Sequence, residues 1–545
     1  MDIRAAIIEA IREQLRQRGI DVAEAISLEQ PANLEHGDWS TNVVLAHAKQ
    51  LGRAPRELAS ELASDLNEAT LDHVDRVDVA GPGFVNFHLR PTWLHEVLVD
   101  TVAAGTDGFG RATMPQPVNV MVEFVSANPT GPLHAGHARG ATYGDSVARL
   151  LSWVGYDVWR EFYINDRGSQ MIKMGESILA RQRGTEIPEG GYGGEYIAEW
   201  ANSFVPSSPQ LSDAELVSEA VEHGYEMALV DQQQTLALLD IAFDEWFSER
   251  DLVESGAIEA TLDALRERGL TEQRDGATWL LSTKFGDDKD RVLIKSDGSY
   301  TYFLPDIAYH HNKFSRGFDQ LINVWGSDHH GYVARMTAAM VGLGYRAEQL
   351  DVRITQMVKL MRGGAEVKIS KRTGDIIELR DIVDEVGAGA TRLTYLSQSV
   401  DSPQTVDLGV IVAQSMENPV FYIQMAHARL CSIQRTAAQR DVAAGELATT
   451  DLGCLHHERE LEVLRCLHSW PAVVKLAADQ RAPHKVTTWL RELAAAVHGF
   501  HHDCPVVRTD VEPQLAAARL WLAEAARIGL ATGLGVLGVE APEAM

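Results

Sequence analysis

The chain has 545 residues, 45% apolar and 23% charged, an ordinary balance for a soluble globular protein long enough for several domains and sizeable cores. Its formal net charge of −28, from 49 basic and 77 acidic residues, argues against a protein that holds nucleic acid on a uniformly basic surface. The N-terminus lacks the apolar core of a secretion signal, no apolar stretch reaches membrane-spanning length, and Cys431, Cys454, Cys466 and Cys504 show no close pairing, so a cytoplasmic location with reduced thiols is expected.

Residues 1 to about 110 read as a small α/β domain. Helical spacing runs from Ile3 to Arg18 and from Pro55 to Asn67, and "RVDVAGPGFVNFHLR" alternates like two strands about a Gly-Pro-Gly turn. "GTDGFGRATMPQP" then reads as a linker. From about residue 115 a new unit opens with Val118 to Val125, the mostly apolar, β-branched run expected of a buried parallel strand. "SANPTGPL" is a loop. "HAGHARGATYGDSVARLLSWVG" is helical, with Tyr143, Val147, Leu150, Leu151 and Val154 facing one way, and "YDVWREFYI" is a second strand. Strand, loop, helix, strand is a βαβ unit, and it predicts an α/β fold with a doubly wound parallel sheet. From about 175 to 290 the pattern is helical and acidic, an insertion. Its "GGYGG" reads as a plain loop, because no strand precedes it and no lysine follows. Strand signals resume with "RVLIKSDGSYTYF", where "SDGS" predicts a hairpin turn, and continue through "QLINVWGSDHH" and "DVRITQMVKLM". After Asp381 the pattern is helical almost to the end, giving an all-α segment over 381–545 behind an α/β domain over 115–380.

Two stretches carry candidate chemistry. His134 and His137, in "PLHAGHARG", start the helix that follows the first parallel strand, where ligands of such sheets bind and where helix N–H groups favour anions. Imidazoles at i and i+3 share a face and suit phosphate oxygens on which negative charge builds, and Gly136 between them lets a phosphate or base approach the backbone. The same pattern alone also fits two surface or capping histidines. "KISKRTGD", Lys368 to Asp375, lies late in the same fold. Its two lysines and arginine in a Ser/Gly-containing loop suit a polyphosphate clamp, and equally a solvated basic turn. A third basic region, Asn418 to Arg440, holds three arginines and no acidic residue, a local patch that an acidic protein could offer a polyanion.

HxGH early and KxSKx late together resemble the signature pair of class I aminoacyl-tRNA synthetases. The segments "EFVSANPTGPLHAGHARG", "EFYINDRGSQM", "YFLPDIAYHHNKF", "WGSDHHGY" and "NPVFYIQMAHARL" narrow the resemblance to the arginyl-tRNA synthetase family, over essentially the whole chain. The resemblance implies a Rossmann-like class I catalytic domain, with a small N-terminal α/β domain that contacts tRNA and an α-helical anticodon-binding domain. It implies arginine activation by Mg·ATP, transfer to the terminal adenosine of tRNA(Arg), dependence of activation on bound tRNA, and a monomer. Residue by residue, it places ATP on His134, Gly136, His137, Gly326, Asp328, Lys368, Ser370 and Lys371, of which the two histidines and two lysines are catalytic. Arginine falls to Glu123, Ser126, Asn128, His134, Tyr302, Asp306 and His329. A carboxylate such as Asp306 accepts a guanidinium through two hydrogen bonds and penalises lysine, whose ammonium cannot form that fork. Asp306 could equally be a helix-start aspartate and Glu123 a strand-end glutamate. tRNA falls to Asn86, alternatively an outward strand residue, and to Tyr422, Met425 and Arg429, where an aromatic beside an arginine suits a single-stranded loop. Met425 departs from the family's usual tyrosine.

"CLHHERE" and "FHHDC" could be drawn together as a zinc site from Cys454, His456, His457, His501, His502 and Cys504, but both read as helical and nothing requires them to meet, so no structural metal is expected. Rival readings are a class I synthetase for another amino acid, a small-molecule nucleotidyltransferase, and a non-catalytic arginine- or tRNA-binding protein. The second would not need so large a helical segment, and the third should have lost part of the phosphate machinery.

Overall fold

The computed structural model describes residues 3–22, 26–29, 31, 33–367, 377–413, 415–416 and 418–545. The chain forms two compact units: Met1–Gly105 with Leu430–His468 and Ala496–Ile528, and Thr106–Arg429 with Ser469–Ala495 and Gly529–Met545. The helical segment 381–545 is therefore divided between them. Among the described residues no helix is long and apolar enough to cross a membrane.

In the first unit α1 (Ile3–Gln17) buries Ile3, Ile7, Ile11 and Leu15, one residue per turn on a single stripe. After β1 (Trp39–Thr41) and α2 (Val43–Leu51), α3 (Pro55–Glu68) starts on a proline at its first position and buries Leu58, Leu62 and Leu66. β2 (Val74–Ala80) and β3 (Phe84–Leu89) pair antiparallel across the Gly-Pro-Gly turn, in a sheet ordered β1-β3-β2. α4 (Thr92–Gly108) follows, broken at Gly105.

The second unit is built on five parallel strands. β4 (Asn119–Glu123), α5 (Ala135–Trp153) and β5 (Asp157–Ile164) form the βαβ unit read from the sequence. α6 (Ser169–Arg183), α7 (Glu195–Ser203) and α8 (Asp213–Leu238) lead to β6 (Glu245–Ser248), α9 (Glu249–Glu254) and α10 (Ala257–Glu267). β7 (Thr271–Arg274), β8 (Ala277–Leu280) and β9 (Arg291–Ile294) make a separate antiparallel sheet. The turn at Asp297–Gly298 follows β9, with Lys295 N donating to Ser299 O. α11 (Phe303–Ser315), β10 (Gln320–Gly326), α12 (Val333–Gly342) and β11 (Leu350–Thr355) complete the main sheet, ordered β11-β10-β4-β5-β6. The order of strand addition, outward through β5 and β6 on one side of β4 and through β10 and β11 on the other, reverses between β4 and β10, the switch point at which such folds bind ligands. β12 (Val358–Arg362), β13 (Ala365–Glu366), α13 (Leu379–Val386), α14 (Ala388–Tyr395), β14 (Gln404–Asp407) and α15 (Leu408–Val412) follow, with β12, β13 and β14 in a small third sheet. The last helices are α16 (Pro419–Gln439), α17 (Glu458–Gln480), α18 (His484–Asp503) and α19 (Pro513–Val536).

Two readings of local structure need correction. The 175–290 stretch is not all helical: it contains β6, which pairs with β5 at the edge of the main sheet, as well as β7 and β8. The tail beyond Asp381 contains β14. Each is four residues long, too short to show a period of two among helical neighbours. The linker after residue 105 is pinned rather than loose: Phe109 is buried and its carbonyl accepts from Trp470 Nε1 at 2.8 Å.

α5 lies so close to the sheet that Gly144 touches Phe124; a Cβ at Gly144 would overlap the Phe124 side chain. Around this contact Val120, Val122, Phe124, Val147, Leu151, Phe162 and Ile322 form the core under the first crossover.

Candidate active site

The site grows from the carboxyl ends of β4 and β10. β4 ends on Glu123, which is in register with Asn323 of β10 and Glu161 of β5. Neighbours in register on a parallel sheet point the same way, so two buried carboxylates and an amide lie in one row. α11 answers this row with Tyr309, Lys313 and Arg316, spaced about one turn apart. Lys313, wholly buried, reaches Glu123 Oε2 at 2.5 Å and Asn323 Oδ1 at 3.2 Å. Arg316 forks onto Glu161 at 2.7 and 2.9 Å, where Tyr309 also donates at 2.6 Å. Buried charges persist only when paired in this way.

One turn earlier, Asp306 extends the stripe beyond the strand ends. Its Oδ2 accepts from the Tyr332 hydroxyl at 2.7 Å. Surrounding protein strips water from the carboxyl and pushes it up to about 7; the Tyr332 hydrogen bond and Lys313 oppose this, and Glu249 and Glu123 add to it. The helix N-terminus, which favours a carboxylate in its first turn, is outweighed. Glu249, at the start of α9 just beyond β6, is also raised, first by burial. Tyr163, held against Glu249, is raised for the same reason. His310 is pushed down to about 3 by burial and by Lys313, so it is a neutral ring: Nδ1 donates to Asp306 O at 2.7 Å and Nε2 accepts from Asn323 Nδ2 at 2.6 Å.

The loop between β4 and α5 is strained at its root. Val125 and Ser126 take φ of 67° and 44°, left-handed values that are unfavourable for a β-branched residue. The bend lets Ser126 Oγ donate to Glu123 Oε1 at 2.8 Å and accept from Tyr163 N at 3.2 Å. At the far end His134 is the N-cap of α5. Its Nδ1 accepts from Gly136 N at 3.1 Å, and His137 Nδ1 accepts from His134 N at 3.1 Å. The two rings lie against each other with centroids 3.9 Å apart and planes tilted by 31°. An Nδ1 that accepts places the proton of a neutral ring on Nε2, so both imidazoles are set as Nε2–H donors. The capping reading and the anion-binding reading of this pair are thus compatible.

Lys368, Ser370 and Lys371 lie outside the described residues. The chain resumes at Ile377, whose carbonyl accepts from Ala135 N at 3.0 Å, and Leu379 N donates to Leu133 O at 2.8 Å. The residues bordering the lysine segment are therefore bonded to those bordering the imidazole pair.

Models of three families match in turn: "Arginyl tRNA synthetase N terminal domain" over residues 2–89, "tRNA synthetases class I (R), catalytic domain" over 102–185 and 193–431, and "DALR anticodon binding domain" over 423–545. The chain is 44% identical to an arginine–tRNA ligase of Syntrophotalea carbinolica, over 95% of both chains. The chain belongs to the arginyl-tRNA synthetase family. A Campylobacter jejuni arginyl-tRNA synthetase structure superposes on this synthetase with a TM-score of 0.77 at 34% identity, covering 84% of this chain and all of the other. The Thermus thermophilus arginyl-tRNA synthetase shares the fold over the full length of both chains, with a TM-score of 0.75 at 23% identity.

In this synthetase the residues singled out from sequence do not all converge. Glu123, Ser126 and Asp306 belong to one network, although Glu123 is already taken by Lys313 and Ser126. Asn128 Nδ2 donates to Gln170 Oε1 at 2.8 Å. Tyr302 is 88% exposed, and the Asp306 carboxyl is met by Tyr332 in its place. Asp328 and His329 are exposed and pair with each other at 3.4 Å, and a Cβ at Gly326 would come 2.6 Å from Asp328 Oδ1. Tyr422, Met425 and Arg429 are half-buried on one face of α16. The chain's last residues run along the same helix, Gln424 Nε2 donating to Glu540 O and His427 Nδ1 meeting Pro542 O at 2.8 Å. In the other unit Asn86 is buried in β3, bonded to Ser40 and Asp78, and lines a cavity of about 520 Å³ with His36, Ser40 and Phe84. Of the residues considered for zinc, Cys504 Sγ and His457 Nδ1 meet at 3.3 Å, but among the described residues no group of three or more His, Cys, Asp or Glu side chains could hold a metal ion.

Sequence reasoning missed Glu249, Lys313, Tyr163 and Tyr332. The available signal for Glu249 was position: it directly follows "EWFS", and the carboxyl end of a parallel strand is where ligands gather.

Proposed function

We propose that this protein ligates arginine to tRNA(Arg). The observation that carries the proposal is Asp306: a half-buried carboxyl at the switch point, partnered among the described residues by a tyrosine rather than by an ion pair, with Glu249 acting on it as a second negative group. A guanidinium supplies the missing charge and matches a carboxylate's two acceptors. Ser126 and Asn128 border the amino-acid end of the substrate, with the ion-paired Glu123 beneath them, and Tyr302 and His329 close over it from the α11 and β10 sides.

The arginine carboxylate attacks the α-phosphorus of ATP. A carboxylate oxygen–phosphorus bond forms, the bond to the bridging oxygen breaks, and pyrophosphate leaves. The Nε2–H groups of His134 and His137 donate to phosphate oxygens as charge builds, and Lys368 and Lys371 draw the β- and γ-phosphates. Gly136, Gly326, Asp328 and Ser370 complete the nucleotide site. Magnesium enters with the nucleotide, and no step is assigned to it. The 2′-hydroxyl of the terminal adenosine of tRNA then attacks the adenylate carbonyl, losing its proton as AMP departs. Asn86 contacts the tRNA elbow, and Tyr422, Met425 and Arg429 meet its anticodon. The domain division is 1–110, 115–380 and 381–545, and the protein works as a cytoplasmic monomer.

Aminoacylation of total tRNA with each labelled amino acid in turn tests the reading. Charging with arginine alone is expected, as is ATP–pyrophosphate exchange only when tRNA is present. Charging with another amino acid would refute the assignment.

A further inference from the structure

The helical insertion has no assigned part in the chemistry, yet it supplies the hydrogen-bond donors for the loop that leads into the imidazole pair. Gln232 of α8 is wholly buried. Its Nε2 donates to Asn128 O at 3.2 Å and to Gly131 O at 3.0 Å. The Tyr196 hydroxyl of α7 donates to Thr130 O at 3.1 Å. Three of the four carbonyls from Asn128 to Gly131 thus take donors from the insertion. The fit is close: a Cβ at Gly131 would stand 2.8 Å from the Tyr196 hydroxyl oxygen. Gln232 Oε1, in contrast, is buried and finds no hydrogen-bond partner among the described residues. An amide kept in the interior with its oxygen unsatisfied costs stability, so packing alone does not account for it; its two N–H groups do. Its neighbour Asp231 takes Arg380 at 3.4 Å, just beyond the residues 377–379 that clip onto Leu133–Ala135. One turn of α8 therefore braces both sides of His134.

We infer that Gln232, with Tyr196, is a positioning residue for arginine activation: it sets the backbone from Asn128 to Gly131, and through it the placement of Asn128 and of the imidazole pair. The inference rests on the site assignment proposed above. Loops without secondary structure hold reacting groups only as well as their carbonyls are anchored, and small misplacements cost rate.

The test compares Q232L, Q232E, Y196F and N128A in steady-state arginylation, with melting temperatures measured alongside. Q232L is expected to lose about tenfold in kcat/KM for arginine, the equivalent of one to two neutral hydrogen bonds, with the KM for tRNA unchanged. Q232E discriminates positioning from bulk stability. A glutamate can donate to a carbonyl only when protonated, so its activity relative to wild type should climb as pH is lowered from about 8 to about 6, while the Q232L ratio stays level. Asp231 and Glu378 titrate in all the proteins and cancel in the ratio. Wild-type kinetics in Q232L, or a level pH ratio in Q232E, would overturn the inference. If Q232L does not fold, Q232E and Y196F decide: Y196F should lose about threefold in kcat/KM for arginine, and wild-type kinetics there with a level Q232E ratio would overturn it. N128A separates the two readings, since an unchanged KM for arginine in that variant would sink the site assignment itself.

Discussion

Asp306→Asn isolates one charge. Asparagine has nearly the same shape and can still accept from Tyr332, whose hydroxyl lies 2.7 Å from the carboxyl oxygen. What it removes is the negative charge opposite the guanidinium. Leaving one member of an enclosed charge pair alone costs about 3–5 kcal/mol, a loss in arginine affinity of about a hundred- to a few-thousand-fold. The loss measured at neutral pH is smaller by about twofold, because a group pushed up to about 7 is already half protonated there. The assay is the KM for arginine, with the KM for ATP as internal control, from about pH 5.5 to 8.5. The sign follows from linkage: arginine binds the ionised form, so wild-type affinity should fall about tenfold per pH unit below 7 and level off above it, whereas D306N should lack this transition. Without ligand the dependence reverses. The folded state holds this proton more tightly than the unfolded chain, so the group lowers stability as pH rises from about 4 to about 7. Equal losses for arginine and ATP in D306N, or a wild-type arginine profile level across pH 7, would refute the reasoning.

Lys313→Met strands the Glu123 carboxylate against Ser126 and Asn323; unfolding by denaturant should show a loss of about 3–5 kcal/mol, and adding E123Q should recover part of it. Gly136→Ala places a Cβ 2.8–2.9 Å from the His134 ring, so charging should fall at least about tenfold while stability changes by less than about 1 kcal/mol; wild-type charging would show that the ring's cap position is immaterial. Gly144→Ala forces α5 away from Phe124 and should cost about 1–3 kcal/mol by denaturant unfolding despite alanine's better helix propensity, and a gain in stability would contradict the close packing.

α5 was legible from its helical period, β4 from a continuous apolar, β-branched run, and the βαβ unit because "HAGH" sits where a strand gives way to a helix. β6 and β14 were not, since four residues carry no period and an edge strand takes its identity from the neighbour it pairs with. The histidine pair was recognisable as a motif, but not the fact that each Nδ1 caps the helix and so fixes where the ring protons point.

Local spacing in the sequence determined the main helices, the parallel-sheet class and the positions of the candidate phosphate-binding groups, because those depend on residues a few places apart. Charge pairing was decided only by the tertiary structure. Lys313 and Glu123 are 190 residues apart, Arg316 and Glu161 are 155 apart, and nothing local says that they cancel. That cancellation leaves Asp306, half-buried and with no ion pair among the described residues, at the strand ends, and such a charge is read through its neighbours in space rather than in sequence.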